Sequence, residues 1–315
     1  MKVDICPVCD SKKNKSIYSL FRNNKRVRLK LCLDCGFVFQ DLDSRAKYTN
    51  YYQKEYRDLK PNKTNIKEQK LKKMNALWDF ICSQYKDISI PCEVLDIGCS
   101  KGYLLDILGK KNYATHGIEP DIEDAMIAKN NHDVRQGVFD SQSFEEIQFD
   151  IITAFNVLEH VLEPKDFVNN VYKRLNDEGY FIVNIPCLDY LPIHNGNASL
   201  FHDGHVNFFS INVLSAFLER QNFKIVKKIS GTEYNRIYRS KKEKAYLCII
   251  CKKQPTREHN NLKNQIFVSE SEGFFSEHLR KIPLKEKIKQ IIPYSWEAYF
   301  FLKSIIINTR RKNTQ

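Results

Sequence analysis

No run of about 18 consecutive apolar residues occurs anywhere in the 315-residue chain, so no helix is expected to span a bilayer. Nor is there an apolar signal-peptide core, because Lys2 and Asp4 flank a short start that runs straight into Cys6. These two absences imply a cytoplasmic protein. Its ten cysteines are then expected as thiols or metal ligands, not disulfides. An apolar share of 42% excludes wholesale disorder, and the length suits one large α/β domain with smaller attachments.

Charge is unevenly spread. Residues 1–90 carry 20 basic and 10 acidic side chains, 91–255 carry 19 and 22, and 256–315 carry 11 and 6, giving +10, −3 and +5 of the net +12. Basic ends suit a phosphate-bearing substrate, nucleic acid or an anionic membrane surface; a solvated Lys-rich surface explains them equally well.

The cysteines are placed with purpose at the N-terminus. Cys6-Pro-Val-Cys9 and Cys32-Leu-Asp-Cys35 are two C-x2-C pairs 22 residues apart. Thiolates at i and i+3 on a tight knuckle supply two ligands each to a tetrahedral zinc. Gly36 follows the second knuckle, where the turn needs a positive φ. Ser16 to Leu31 alternates like two strands around Asn23-Asn24. Residues 1–45 therefore read as a zinc-ribbon module with a structural Zn2+ on Cys6, Cys9, Cys32 and Cys35, all four positions filled and none open for chemistry. Cys248-Ile-Ile-Cys251 repeats the spacing inside a buried-strand pattern, where residues three apart face opposite sides, and is assigned to core packing.

Residues 46–90 read as a helical connector. Tyr48, Tyr51, Tyr52 and Tyr56 would either pack the module on the main domain or line a lid, and a helix from Lys67 to Tyr85 puts Leu71, Met74, Leu77, Trp78 and Ile81 on one face. From 91 to 255 strand and helix patterns alternate: strands Glu93–Gly98, Ala114–Glu119, Phe149–Phe155, Tyr180–Ile185, Phe223–Ile229 and Lys244–Lys252, with helices Tyr103–Lys111, Ile122–Asn130, Phe167–Leu175 and Ile211–Gln221. The rhythm predicts an α/β fold, a mostly parallel Rossmann-like sheet whose ligand sits beyond the carboxyl ends of the strands. Gly98 and Gly102 leave the first loop open to a bound nucleoside, and Glu119, 21 residues after Gly98, is placed to accept ribose hydroxyls. By themselves these features fit nicotinamide and flavin sites too.

Four blocks carry a resemblance: Val94-Leu-Asp96-Ile-Gly98-Cys-Ser-Lys-Gly102-Tyr-Leu-Leu, His116-Gly-Ile-Glu119-Pro-Asp, Phe149-Asp150 running on to Leu158-Glu159-His160-Val, and Leu175-Asn-Asp-Glu-Gly179-Tyr. In order and spacing, over roughly residues 92–230, they resemble the class I S-adenosylmethionine (SAM)-dependent methyltransferases. The resemblance implies SAM as cofactor. The loop Gly98, Cys99, Ser100 and Gly102 would hold its methionine part, and Asp96 would orient that loop or meet the amino group. Glu119 would bind the ribose, Val138 to Asp140 with Phe139 between them would border the adenine, and Asn156 would lie beside the sulfonium. Ser100 stands where the family usually has glycine.

Methyl transfer to a hydroxyl also needs a proton removed. His160, just past the Phe149–Phe155 strand, and His205 with Asp203, in the His202-Asp203-Gly204-His205 loop, are the candidate catalytic residues. Either histidine would serve as base or merely orient its loop, and Glu159, His160, Asp203 and His205 would alternatively gather a divalent metal. Residues 256–315 read as a basic amphipathic helical tail, with helices Ile282–Ile292 and Tyr294–Ile307 broken at Pro293 and Arg310-Arg311-Lys312 behind. The tail would pack on the protein itself, grip a partner chain, or hold the protein peripherally to the inner membrane. A four-cysteine module ahead of such a domain resembles bacterial sugar and polysaccharide methyltransferases, which implies O-methylation of a sugar or glycan-linked small molecule. No Asn-Pro-Pro-Tyr-type block follows the Phe149–Phe155 strand, so nucleic acid is the lesser expectation. A SAM-binding scaffold without turnover is the non-enzymatic alternative.

Overall fold

The structure, a computed structural model, describes residues 5–22, 25–42, 67–84, 92–190, 204–237 and 246–256. The tyrosine cluster, His202, Asp203 and the tail from 257 onward lie outside the described residues. Among the described residues no helix is long and apolar enough to cross a membrane.

Two sheets form. The smaller begins with the antiparallel hairpin of β1 (Asn14–Arg22) and β2 (Lys25–Cys32), to which β3 (Val38–Gln40) adds on the β2 side. Gly36 takes φ +72 after the second knuckle, as the turn requires. The larger sheet alternates with helices: β4 (Glu93–Ile97), β5 (Ala114–Glu119), β6 (Asp133–Gln136), β7 (Phe149–Phe155), β8 (Leu175–Pro186), β10 (Phe223–Ser230) and β11 (Tyr246–Lys253). The two-residue β9 (Asn207–Phe208) leaves this rhythm and joins β3 as the fourth strand of the small sheet. The ribbon is therefore stitched into the main body through a strand supplied from beyond residue 200.

The large sheet runs β10-β11-β8-β7-β4-β5-β6. Strands β6, β5, β4, β7 and β8 are parallel, and β11 and β10 continue antiparallel. The connection reverses direction between β4 and β7, which makes that gap the switch point where ligands bind. Strand β7 is buried along Ile151 to Ala154, the continuous apolar run a strand covered on both faces must have. Helices α1 (Lys67–Cys82), α2 (Tyr103–Gly109), α3 (Ile122–Lys129), α4 (Pro164–Arg174), α5 (Ile211–Arg220) and α6 (Gly231–Ile237) cover the faces. In α1 the predicted stripe holds: Leu77, Trp78 and Ile81 are buried, and Trp78 meets Tyr113 edge to face at 5.8 Å. Cys248 and Cys251 are buried in β11, with Cys251 Sγ against the Phe181 carbonyl, as core packing predicts.

The differences are local. Helix α4 starts at Pro164, three residues before the expected Phe167, because proline at the first helical position needs no partner for an N–H it lacks. Strand β8 starts at Leu175 instead of Tyr180, its register against β7 shifting where Glu178 takes φ +65. Strands β3, β6 and β9 and helix α6 have no counterpart among the expected elements.

Candidate functional site

The loop after β4 is fixed by backbone and carboxylate together. Gly98 N–H donates to the Ile118 carbonyl at 2.8 Å, and Gly102 N–H to that of Cys99 at 2.9 Å. Gly98 sits at φ +73, and a Cβ there would lie 2.6 Å from Val157 Cγ2, so only glycine lets this loop meet the loop after β7. Ser100 also has a left-handed φ, +48, a conformation unfavourable for a residue with a Cβ. Two hydrogen bonds offset this: its amide donates to Glu119 Oε2 at 2.9 Å, and its hydroxyl to Asp124 Oδ2 at 2.7 Å. Glu119 Oε1 accepts from the Asp121 amide at 2.8 Å, and Asp121 in turn caps α3 through the Asp124 amide. The departure from glycine at 100 thus comes with its own support, in which Asp121 and Asp124 take part. Neither Asp121 nor Asp124 is among the residues expected at the site from the sequence.

Asp96 is buried at the end of β4 and accepts from Thr153 Oγ1 at 2.6 Å. Burial pushes its carboxyl up to about 7, against the opposing hydrogen bond from Thr153. Across the switch point Asn156 stands exposed at φ +57, its amide bonded to the Asn184 carbonyl at 2.7 Å. Two side chains expected at the cofactor rim point elsewhere. Cys99 is buried among Leu105, Ala125, Ala128 and Val134, so this position offers backbone and not its thiol. Phe139 packs edge to face on Phe167 at 5.7 Å in the core, and its neighbour Val138 is the exposed one. An aromatic in a loop reads as a binding surface until the fold shows which way the pleat turns.

Beside Asn156, Leu158–His160 forms a 3-10 turn that brings three predicted residues together. His160 Nδ1 donates to the Gly204 carbonyl at 2.7 Å, Val206 N–H donates to the Glu159 carbonyl at 2.8 Å, and the His160 and His205 rings are 4.7 Å apart. Asn207, which no motif marks, clamps the turn by donating Nδ2 to the Leu158 and Val161 carbonyls. Glu159 is 1% exposed, and burial pushes its carboxyl up to about 8. Asp203 lies outside the described residues.

The four N-terminal cysteines also converge, all sulfurs within 4.8 Å of one another. Cys6 and Cys35 are 3.7 Å apart, and Cys9 and Cys32 3.5 Å. Four sulfurs at about 2.3 Å from one zinc stand about 3.8 Å from each other, so the cluster matches the size of that ion. Hydrogen bonds from Cys35, Cys6 and Cys9 pull the Cys32 thiol down, while bonding to Cys32 pushes Cys6 and Cys35 up.

A family model described as a methyltransferase domain matches residues 38–228, more than half of the chain. Over 119 residues the chain is 27% identical to the ubiquinone biosynthesis O-methyltransferase of Rickettsia bellii, covering 36% of this chain and 49% of that one. It is 25% identical over 139 residues to a probable S-adenosylmethionine-dependent methyltransferase of Mycolicibacterium smegmatis, 42% of this chain and 52% of that one. Among solved structures, a S-adenosylmethionine-dependent methyltransferase from Clostridium acetobutylicum aligns with a TM-score of 0.45 at 16% identity, over 67% of this chain and 99% of that one. The chain spans about half the length of the curated relatives it matches.

Proposed function

The chain belongs to the methyltransferase-domain family, and on that premise we propose that it is a SAM-dependent O-methyltransferase acting on a hydroxylated small molecule. The observation that carries this reading is the Ser100 amide held on the Glu119 carboxylate at the carboxyl ends of β4 and β5, beside the switch point. The donor set fits an adenosyl cofactor. A carboxylate offers about four lone-pair sites, so Glu119 can take ribose hydroxyls beyond the two amides it holds. The buried Asp96 carboxyl ionises readily only where a cation faces it, and the amino group of a methionine moiety is one. When bound, SAM supplies a sulfonium methyl open to in-line displacement. Asn156 and the 3-10 turn then stand where the acceptor would approach. His160 and His205 line that approach and lie within reach of a hydroxyl proton there.

A sugar or glycan-linked hydroxyl is the acceptor class we favour, from the pairing of a four-cysteine module with a His-bearing loop. A phenolic hydroxyl is the second reading, favoured by relatives named for ubiquinone biosynthesis. The cysteine cluster, in this reading, holds a structural Zn2+. Incubation with methyl-labelled SAM and a panel of nucleotide sugars and catechols distinguishes the acceptors. Label should appear in one class and fall by about 100-fold or more in His205→Ala or His160→Ala. SAM binding with no label on any acceptor would leave a binding scaffold instead.

Asp96 makes the cofactor step pH-dependent. Its folded pKa, about 7, lies above the ordinary 3.8, so the folded apo protein favours the protonated acid. The stability this gives is full below about pH 4 and lost as pH rises through 7. Binding of an ammonium favours the ionised form, which has the opposite sign. SAM affinity is therefore expected to be about tenfold weaker at pH 6 than at pH 8, and Asp96→Asn should flatten the profile. Calorimetry across that range checks it; a flat wild-type profile would leave Asp96 only the task of orienting the loop.

A further inference from the structure

The acceptor side of the site has a wall that the two histidines do not form. It rises from β8 and β11, which continue the sheet from β7 on the side away from β4. Asn156 follows β7, and its amide is bonded to the Asn184 carbonyl in β8. Strand β11 runs antiparallel to β8, with Tyr246 opposite Pro186 and Cys248 opposite Asn184. Side chains two apart on a strand share a face, so Asn184 and Tyr246 stand diagonally on one face at the carboxyl end of β8. Two strand spacings, about 10 Å, lie between the Asn156 and Tyr246 backbones, enough for one six-membered ring with its contacts.

Tyr246 is backed on one side and open on the other. The ring of Tyr234 in α6, 1% exposed, lies 6.3 Å from that of Tyr246 at a 50° tilt, and the Tyr234 hydroxyl donates to Asn184 Oδ1. Tyr246 itself is 38% exposed, so the open part of its ring lies away from this contact. Burial pushes the Tyr246 hydroxyl up from its ordinary value, and so does the charge of Glu159, ionised at the alkaline pH where a phenol titrates. That second effect puts the ring within electrostatic reach of the Leu158–His160 turn.

We propose that Tyr246 is the platform on which the acceptor lies, and that the acceptor hydroxyl is carried on a six-membered ring, either a pyranose or an arene. This rests on the methyl-transfer reading and narrows it. The shared chemistry is a ring face: the C–H face of a pyranose and the offset face of an arene both settle on the negative face of an aromatic ring. An open-chain alcohol gains no such hold. Tyr234 is a positioning residue, since it is buried and reaches the acceptor only through the ring it backs. Stacking of this kind is the same before and during transfer, so its loss should appear in KM and not in kcat.

The full chain is assayed with catechol and with UDP-glucose, and the acceptor that takes the methyl group tells arene from pyranose. Tyr246→Ala should raise its KM by about tenfold or more, with kcat within about threefold and SAM affinity unchanged. Tyr246→Phe keeps the ring face and should recover most of that loss. An unchanged KM in Tyr246→Ala, a fall in kcat alone, or a phenylalanine variant as poor as alanine overturns the proposal while methyl transfer stands. A second readout does not need turnover. With the demethylated product of SAM bound, saturation-transfer NMR should show the ring protons of catechol or of the glucose moiety against wild type, lost in Tyr246→Ala and regained in Tyr246→Phe. That pattern without any methylated product supports the platform and removes the transfer reading. No ring contact in the wild type overturns the platform, and thermal melting of each variant confirms the fold.

Discussion

Replacing Cys32 with serine is expected to lower the methylation rate by at least about 100-fold while SAM affinity stays within about threefold of wild type. The route runs through backbone, not through the cofactor loop. A hairpin and one short strand are too small to hold themselves by burial, so if the cluster holds the proposed Zn2+, losing one of its four cysteines should melt β1 to β3. Strand β3 holds β9 through the pairs Val38–Phe208 and Phe39–Asn207, and Gln40 N–H donates to the Val206 carbonyl at 2.9 Å. Val206 donates on to Glu159, and His205 precedes it. Each backbone group orphaned in this buried seam costs about 1–3 kcal/mol, so the segment will rearrange before it tolerates the loss. Phe37 and Phe39 also leave the core, where Phe37 packs on Phe209 at 4.7 Å between ring centroids. The Gly98–Gly102 loop shares none of these bonds, which is why cofactor affinity should hold. Hydrogen exchange over residues 5–42 and 204–209, read beside calorimetry and product formation, tests the separation. A melted ribbon with an unchanged rate would cut the proposed link, and parallel loss of SAM binding would mean global unfolding instead.

The parts legible in the sequence are those whose cause is local. The strand-helix rhythm gave β4, β5 and β7 and the helices α2 and α3 to within about two residues, since a strand covered on both faces, as β7 is, must be apolar along its buried run. The convergence of the four cysteines was legible because two C-x2-C pairs at this spacing have few other uses. What stayed hidden depends on distant partners. Strand β9 is two residues whose strand character comes from β3, some 170 residues earlier in the chain. Strand β6 buries only Val134 of its four residues, so it shows no alternation. Within the site, Glu119 and the glycines were visible, but Asp124 and Asn207 act by completing other residues' hydrogen bonds, and no spacing marks that. The motifs named His160; that His205 comes to lie against it follows only from the meeting of the Leu158–His160 turn with the Gly204–Val206 segment.

Glu119→Ala is expected to weaken SAM binding by about 100-fold or more, with the fold retained. The carboxylate has two jobs in one place. It accepts the Ser100 and Asp121 amides, and it would meet the ribose hydroxyls with its remaining lone pairs. Removing it strands an amide whose residue already sits at an unfavourable φ of +48, so the loop loses the main reason to stay in its binding shape. Hydrogen bonds to a charged acceptor are worth about 1.5–3 kcal/mol each, and losing even two would account for a hundredfold. Glu119→Gln sharpens the test. The amide side chain has one accepting oxygen and one donating nitrogen, so it can satisfy Ser100 or Asp121 but must set a donor against the other. Its loss in affinity should therefore approach that of alanine, although its size matches glutamate. Calorimetry with SAM and its demethylated product measures both variants, and thermal melting confirms the fold. If glutamine bound as tightly as the wild type, the two-amide brace would be irrelevant to the cofactor. If alanine did so as well, the ribose would have to be held somewhere else.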